Sequence, residues 1–210
     1  NGWADYFAPQ LYWSIQSEGQ SYPLLLQWWA EQNSKGRHVW PGNNAAKVGS
    51  EWKPDEIVNQ IRLTRKQPGA TGNTLWNVTS LRTTNGLADA LTKGVYNQPA
   101  LIPASPWLDS QPPGRPNFTV QQNVIGKELK LTWQATGPEP IWLWVLQIRS
   151  AGQWTTEVLP GHSTIRVLKR DPASPWPECV AVTAVDRCGN VSTPALAKAT
   201  AAPSDIPSKK

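Results

Sequence analysis

The chain reads as an α/β layer followed by an all-β sandwich. Three observations predict this. Strand-like and helix-like segments alternate over the first half. A proline-dense seam, Pro103-Ala104-Ser105-Pro106-Trp107-Leu108-Asp109-Ser110-Gln111-Pro112-Pro113-Gly114, then interrupts the pattern. Beyond it only short β-rich runs separated by glycine-containing turns remain. With 210 residues the chain is long enough for two such domains with cores of their own.

The first strand is predicted over residues 5–13, an apolar, aromatic run closed by the polar stretch 14–19. A helix follows from Tyr22, capped at Ser21 or Tyr22, with Pro23 at its start and Leu24, Leu25, Trp28 and Trp29 at helical spacing. Lys35-Gly36 stops it. A second strand covers residues 37–41 and opens at Gly42-Asn43-Asn44. The next helix begins at Pro54, carries Asp55 and Glu56 in its first turn, turns Ile57, Val58 and Ile61 inward, and closes at Pro68-Gly69. A third strand is predicted over residues 73–79 and a last helix over 87–93, with Gly94 as its stop. Strands alternating with helices through short links imply a parallel sheet. Three such units do not close an eight-stranded barrel. The alternatives are the C-terminal end of a barrel and a small open sheet, and the barrel end is preferred.

The second half predicts strands at 118–124, 128–134, 142–149, 153–159, 164–168 and 180–186. Turns are predicted at Ile125-Gly126-Lys127, Ser150-Ala151-Gly152, Pro160-Gly161 and Cys188-Gly189-Asn190. Alternation of Leu129, Leu131 and Trp133 puts that tryptophan in the core of a β-sandwich. The predicted domains are thus residues 1–112 and 113–200, with 201–210 as a disordered tail.

Composition narrows the class. The chain has 13 Trp, 20 Pro and no Met, and a net charge of +5. Its cations are scattered; the cluster Arg62, Arg65 and Lys66 suits a helix C-terminus. No basic stripe is interleaved with aromatic residues, so a nucleic-acid partner is not expected. No apolar run approaches the roughly 20 residues of a membrane span. The missing Met and absent signal peptide suggest a piece of something longer, or a processed form. Cys179 and Cys188 stand nine positions apart. On one extended strand, at about 3.3 Å per residue, they lie beyond disulfide reach, so two free thiols are expected. Their spacing matches no zinc site, and neither metal nor cofactor is expected.

The chemistry-bearing residues cluster at strand ends. Gln10 and Tyr12 share one parity, and Trp13 opens the loop that follows. An amide hydrogen-bonds sugar hydroxyls both ways, and aromatic faces pack on sugar C–H surfaces. Trp40, followed by Pro41-Gly42-Asn43, and the pair Trp76 and Asn77, of which one or the other should face the site, complete the candidate sugar-contact set. Gln10 could equally be a structural amide, and Tyr12 and Trp13 could simply pack on the next helix. His38 reads as a core histidine. Trp142, Trp144, Trp154 and Trp176 are where exposed sandwich platforms would be sought. Glycoside hydrolysis needs two carboxyl groups facing one another. Asp5 begins a strand, away from the site; Glu31, Asp55, Glu56 and Asp89 fall on helices, where solvation is expected. Glu18 and Glu51 fall in loops on the correct face. No catalytic residue is assigned.

Two resemblances follow. The blocks Gly2-Trp3-Ala4-Asp5-Tyr6-Phe7-Ala8-Pro9-Gln10-Leu11-Tyr12-Trp13, Gly36-Arg37-His38-Val39-Trp40-Pro41-Gly42 and Gln60-Ile61-Arg62-Leu63-Thr64-Arg65 occur in order. They are followed by Gly86-Leu87-Ala88-Asp89-Ala90-Leu91 and Pro99-Ala100-Leu101-Ile102-Pro103-Ala104-Ser105-Pro106-Trp107-Leu108. Together residues 1–109 resemble the C-terminal end of the glycosyl hydrolase-like ten family of bacterial barrel proteins. Residues 115–200 resemble a fibronectin type III domain, chiefly through Leu131-Thr132-Trp133 and residues 182–192. The fold class so implied is the last three βα units of a TIM (β/α)8 barrel, its sixth to eighth strands, followed by an immunoglobulin-like, fibronectin type III sandwich. The resemblance further implies a glycoside hydrolase exported to the cell envelope (periplasmic, cell-surface or secreted, with a lipid anchor on a preceding segment as one route). It would act on a polysaccharide, peptidoglycan glycan strands foremost, with catalytic acids on earlier strands. The chain departs from the family at Trp76-Asn77-Val78-Thr79, where the family tends to carry Phe-Ser-Met-Lys. The alternatives are a non-catalytic carbohydrate-binding or scaffold protein that uses the sandwich, and a structural sandwich with a barrel remnant.

Overall fold

The computed structural model describes residues 2–83, 86–123, 128–169 and 175–199. The chain divides into two compact units, Asn1–Pro103 and Ala104–Lys210.

In the first unit β1 (Tyr6–Phe7) pairs in parallel with β2 (His38–Val39), and β3 (Gly42–Asn44) pairs in parallel with β4 (Thr74–Trp76). The two ladders are one sheet. His38 N–H donates to Asp5 O, Trp40 N–H to Phe7 O, Gly42 N–H to Pro9 O, and Leu11 N–H back to Gly42 O. Thr71 N–H donates to Val39 O and Thr74 N–H to Pro41 O. The predicted first strand is therefore extended and paired over residues 5–11, but interrupted at Pro9, which has no N–H to give the ladder. Pro41 interrupts its strand for the same reason. Contrary to the expected opening at Gly42-Asn43-Asn44, the chain stays extended there and pairs with β4.

Helix α1 (Tyr22–Gln32) follows Ser21 as its cap, carries Pro23 in its first turn and ends earlier than Lys35-Gly36, at Asn33. There the Asn33 side chain accepts from Arg37 N–H at 2.9 Å and donates to Arg37 O, closing the turn into β2. Helix α2 (Pro54–Lys66) has Asp55 and Glu56 in its first turn and Arg65 and Lys66 in its last, both complementing its dipole. The third strand is shorter than its predicted 73–79: it stops at Trp76, and Val78–Thr83 is a short helix, α3. Asn77 Oδ1 accepts from Ser80 N–H at 3.0 Å and from Ser80 Oγ at 3.2 Å, an N-cap that turns the strand into a helix. The last helical segment splits into α4 (Leu87–Ala90) and a wide turn, Leu91–Val95, in which Gly94 leaves helical geometry.

The helices pack on one side of the sheet. Leu11, Tyr22 and Leu26 form one buried cluster; Ala45, Val48, Ile57, Val58, Ile61, Leu87 and Leu91 form another, with Leu75 against it. Between them Asn43, Gln60 and Thr64 are buried polar residues. The alternate residues of the strands point to the opposite, open side.

The second unit is an antiparallel sandwich. One sheet holds β5 (Asn117–Asn123), β6 (Glu128–Gln134) and β9 (Ile165–Lys169), in that order. The other runs β11 (Ala195–Lys198), β10 (Cys179–Val185), β7 (Leu143–Ser150), β8 (Gln153–Pro160). Leu129, Leu131, Trp133, Trp144, Leu146, Val180, Val182 and Ala184 fill the space between. β11 had no strand signature in the sequence: Ala-Leu-Ala-Lys has low β-propensity, and its pairing with β10 decides the outcome. The predicted turn at 125–127 and the tail 201–210 lie outside the described residues. Cys179 and Cys188 are free thiols.

The seam following Pro103 is tied to this sandwich. Ser105 N–H donates to Cys188 O at 2.8 Å, and Asn190 Nδ2 donates to Asp109 O at 3.0 Å. The turn that holds it is built on buried Asp186, which accepts from Cys188 N–H at 2.8 Å, Asn190 N–H at 2.9 Å and Asn190 Nδ2 at 2.8 Å.

Candidate functional site

Register and packing together assign the sheet's two faces. Leu11, Asn43 and Leu75 lie on the helix side. Gln10 bridges Gly42, and Gly42 and Asn44 stand opposite Thr74 and Trp76, so these side chains share the open side. Tyr12 is there as well: a Cβ built on Gly42 meets the Tyr12 ring at 3.2 Å. Glycine at 42 leaves room for the Tyr12 ring beside the neighbouring strand. The strands are parallel, so Gln10, Tyr12, Asn44 and Trp76 all gather at their C-terminal ends. Trp76 is 55 % exposed.

Trp40 shares this face but sits two residues below the Gln10–Gly42 row. Its ring stacks on Tyr6 with centroids 4.5 Å apart and on His38 at 5.4 Å, and its indole N–H donates to Thr71 Oγ1 at 3.0 Å. Thr71 Oγ1 also meets His38 Nδ1 at 3.0 Å. Tyr6, His38 and Trp40 thus form an aromatic floor beneath the strand ends. Trp13 lies just past the paired stretch 5–11, 40 % exposed, with its carbonyl held from behind by Gln60 Nε2 at 3.2 Å. Asn77 spends its Oδ1 on the α3 cap, which fixes the direction in which its amide nitrogen faces. Sequence reasoning missed Asn44, whose place follows from the extended conformation of residues 42–44.

Glu18 is exposed, Glu51 is exposed and bonded to Lys47 at 2.8 Å, and Asp89 pairs with Lys93 at 2.9 Å. Glu56 corrects the expectation of a solvated helix residue. It is half-buried, and its Oε1 accepts from Ile15 N–H at 2.7 Å and Gln60 Nε2 at 2.9 Å. In the sandwich Trp144 is buried, while Trp142 is 49 % and Trp154 43 % exposed. Arg187 lies over the Trp142 ring, 4.3 Å from its centroid.

Burial lowers the His38 pKa, partly opposed by the charge of Asp5. The unfolded chain takes up this proton near pH 6.5, the folded chain only at lower pH. Stability supplied by neutral His38 is therefore complete above about pH 6.5 and declines as the pH falls from there to the lowered folded value. Urea midpoints of the first unit measured between pH 8 and 5 are expected to fall over this window, and His38→Gln is expected to flatten the decline.

A helix-covered parallel sheet with aromatic and amide residues at its strand ends, followed by a two-sheet sandwich, defines a two-domain α/β-plus-all-β protein. No protein-family profile matches the chain. Over 135 residues it is 34 % identical to glycosyl hydrolase YngK of Bacillus subtilis (strain 168), a stretch that is 60 % of this chain and 26 % of that protein. The chain thus spans about a quarter of this curated relative and is distantly related to a glycosyl hydrolase. Among solved structures it is similar to the FN3 domain of human collagen XX, with 19 % identity over 48 % of this chain and 100 % of that one, TM-score 0.34. FN3tt aligns at 18 % identity over 44 % and 98 %, TM-score 0.34. Among the described residues no helix is long and apolar enough to cross a membrane.

Proposed function

We propose that the first unit is the C-terminal part of a (β/α)8 glycoside hydrolase barrel and contributes one wall of its polysaccharide cleft. The observation that carries this reading is the gathering of Gln10, Tyr12 and Trp76 on one face, at the C-terminal ends of parallel strands, which is where barrel enzymes place their substrates. The distant kinship with glycosyl hydrolase YngK supports the reaction class. In this reading Tyr12, Trp13 and Trp76 stack on sugar rings, Gln10 and Asn77 bond hydroxyl groups, and Trp40 forms the floor under them. The acid and the nucleophile or base come from strands that these residues do not include. No cofactor is needed for that chemistry. Peptidoglycan glycan strands are the proposed substrate, and the net charge of +5 suits an anionic wall. The proposed location is correspondingly extracytoplasmic.

The test is binding of soluble peptidoglycan glycan fragments to the 210-residue chain, followed by calorimetry or NMR. Tyr12→Ala and Trp76→Ala are each expected to weaken it about three- to tenfold, the worth of one aromatic contact. The wild-type chain is expected to cleave none of the bound glycan. A second reading, carbohydrate binding by the sandwich without catalysis, draws on the exposed Trp142 and Trp154. It predicts that Trp142→Ala and Trp154→Ala abolish binding while Tyr12→Ala and Trp76→Ala leave it intact.

A further inference from the structure

Behind the strand ends lies a buried polar network that the proposed sugar contacts do not themselves use. Gln60 is wholly buried on α2. Its Nε2 donates to Trp13 O at 3.2 Å and to Glu56 Oε1 at 2.9 Å, and its Oε1 accepts from Asn43 Nδ2 at 2.9 Å. Glu56 Oε1 in turn accepts from Ile15 N–H at 2.7 Å. Glu56 stands in the first turn of α2, where a carboxylate would ordinarily serve the helix's own free N–H groups. Here it reaches instead to a segment 41 residues earlier in the chain. Two backbone groups of the segment that carries Trp13 are thus held by two side chains of one helix. From the front, the same segment is held by Leu11 N–H on Gly42 O at 3.1 Å.

We infer that Gln60 and Glu56 are positioning residues: they clamp residues 13–15 from behind and so fix where the Trp13 indole faces. The physical reason is the cost of a loose support. A loop residue that must order on ligand binding loses affinity to conformational entropy, whereas one already held by bonds in a buried, fully satisfied network does not. Gln60 suits the task because an amide can donate to the loop carbonyl and to Glu56 while accepting from Asn43, which no carboxylate or ammonium group could do. Asn43 is next in chain to Gly42, so the clamp shares its anchor with the strand that seats Tyr12. The sugar role of Trp13 rests on the reading proposed above; the clamp itself does not.

The experiment uses the 210-residue chain grown with 5-fluorotryptophan, with the Trp13 resonance assigned by Trp13→Phe. Gln60→Met keeps the side-chain length and removes the bonds; Glu56→Ala removes the second arm at a half-buried position, should Gln60→Met not fold. Glu56→Gln, whose carbonyl oxygen still accepts from Ile15 N–H, is the rescue. Ile61→Val is a core control that leaves every hydrogen bond of the clamp in place. The Trp13 fluorine signal is expected to shift or broaden in Gln60→Met and Glu56→Ala and to stay in place in Glu56→Gln and Ile61→Val. A Trp13 signal unmoved in folded Gln60→Met and Glu56→Ala overturns the clamp. Glycan titrations separate the two claims. Affinity is expected to fall about tenfold in Gln60→Met, the net worth of one hydrogen bond. A wild-type chain whose Trp13 signal ignores glycan overturns the sugar contact and leaves the clamp standing. Where the wild-type Trp13 signal does respond to glycan, unchanged glycan affinity in Gln60→Met overturns the positioning role.

Discussion

Trp144→Ala is expected to destabilise the sandwich by about 3–5 kcal/mol, the cost of emptying an aromatic-sized volume in a packed core. The indole is 1 % exposed, packs edge-on against Trp133 with centroids 6.3 Å apart, and donates its N–H to Gly161 O at 2.8 Å. Glycine is required at 161, since a Cβ there would overlap the Ile141 carbonyl oxygen. Against the roughly 5–15 kcal/mol that holds a domain together, such a loss leaves the sandwich marginal. Phenylalanine variants separate the two parts of the loss. Trp133 is as deeply buried, yet among the described residues its N–H has no partner. Trp133→Phe removes an unsatisfied donor, whereas Trp144→Phe strands the Gly161 carbonyl. Urea midpoints are therefore expected to drop further for Trp144→Phe than for Trp133→Phe. Equal drops would show that lost volume alone sets both values, and the reverse order would overturn the role given to the Trp144–Gly161 bond.

The second large effect is expected from Asn43→Leu, which keeps the volume and removes the hydrogen bonds. Asn43 is wholly buried. Its Nδ2 donates to Gln60 Oε1 at 2.9 Å and to Tyr22 Oη at 3.1 Å, and its Oδ1 accepts from Asn73 Nδ2 at 2.8 Å. Each buried polar group left without its partner costs about 1–3 kcal/mol, so a loss of about 2–5 kcal/mol is expected in the first unit. Replacing a second member should cost less than its own single change, because two apolar groups in contact strand fewer partners. A cycle of Asn43→Leu and Gln60→Met measures that; strict additivity would mean the two amides act independently. Burial also pushes the Tyr22 phenol above its ordinary value, against the pull of its bonds to Thr64, Asn43 and Asn73. Stability from protonated Tyr22 is therefore complete below about pH 10 and is lost as the pH climbs through the raised folded value.

Much of this fold could be read from single residues. Pro23 and Pro54 marked the helix starts because a proline suits a position whose N–H is unbonded anyway. The alternation Leu129, Leu131, Trp133 gave the inner face of β6. What escaped was decided by contacts rather than by local preference. Ala195–Lys198 is a strand only because β10 lies beside it. Val78–Thr83 is helical because Asn77 caps it, although valine and threonine favour strands. At the candidate site, parity was enough to place Gln10 and Tyr12 on one side. It could not reveal that Trp40 sits lower, since height in a sheet depends on register between strands. Nor could it reveal Glu56 and Gln60: a first-turn glutamate and a mid-helix glutamine look solvent-bound until the strand end they touch is known.

The turn built on Asp186 carries a consequence for how this protein can be cut. Residues 105–109 resemble a free tether in composition, yet their backbone is fastened to the sandwich through Cys188 and Asn190. A sandwich excised at Pro113 would lose the Asp109 carbonyl that the Asn190 amide reaches and the Ser105 N–H that the Cys188 carbonyl accepts. One excised at Ala104 would keep both, so the few prolines ahead of the first β-strand belong with the cargo and not with the rope.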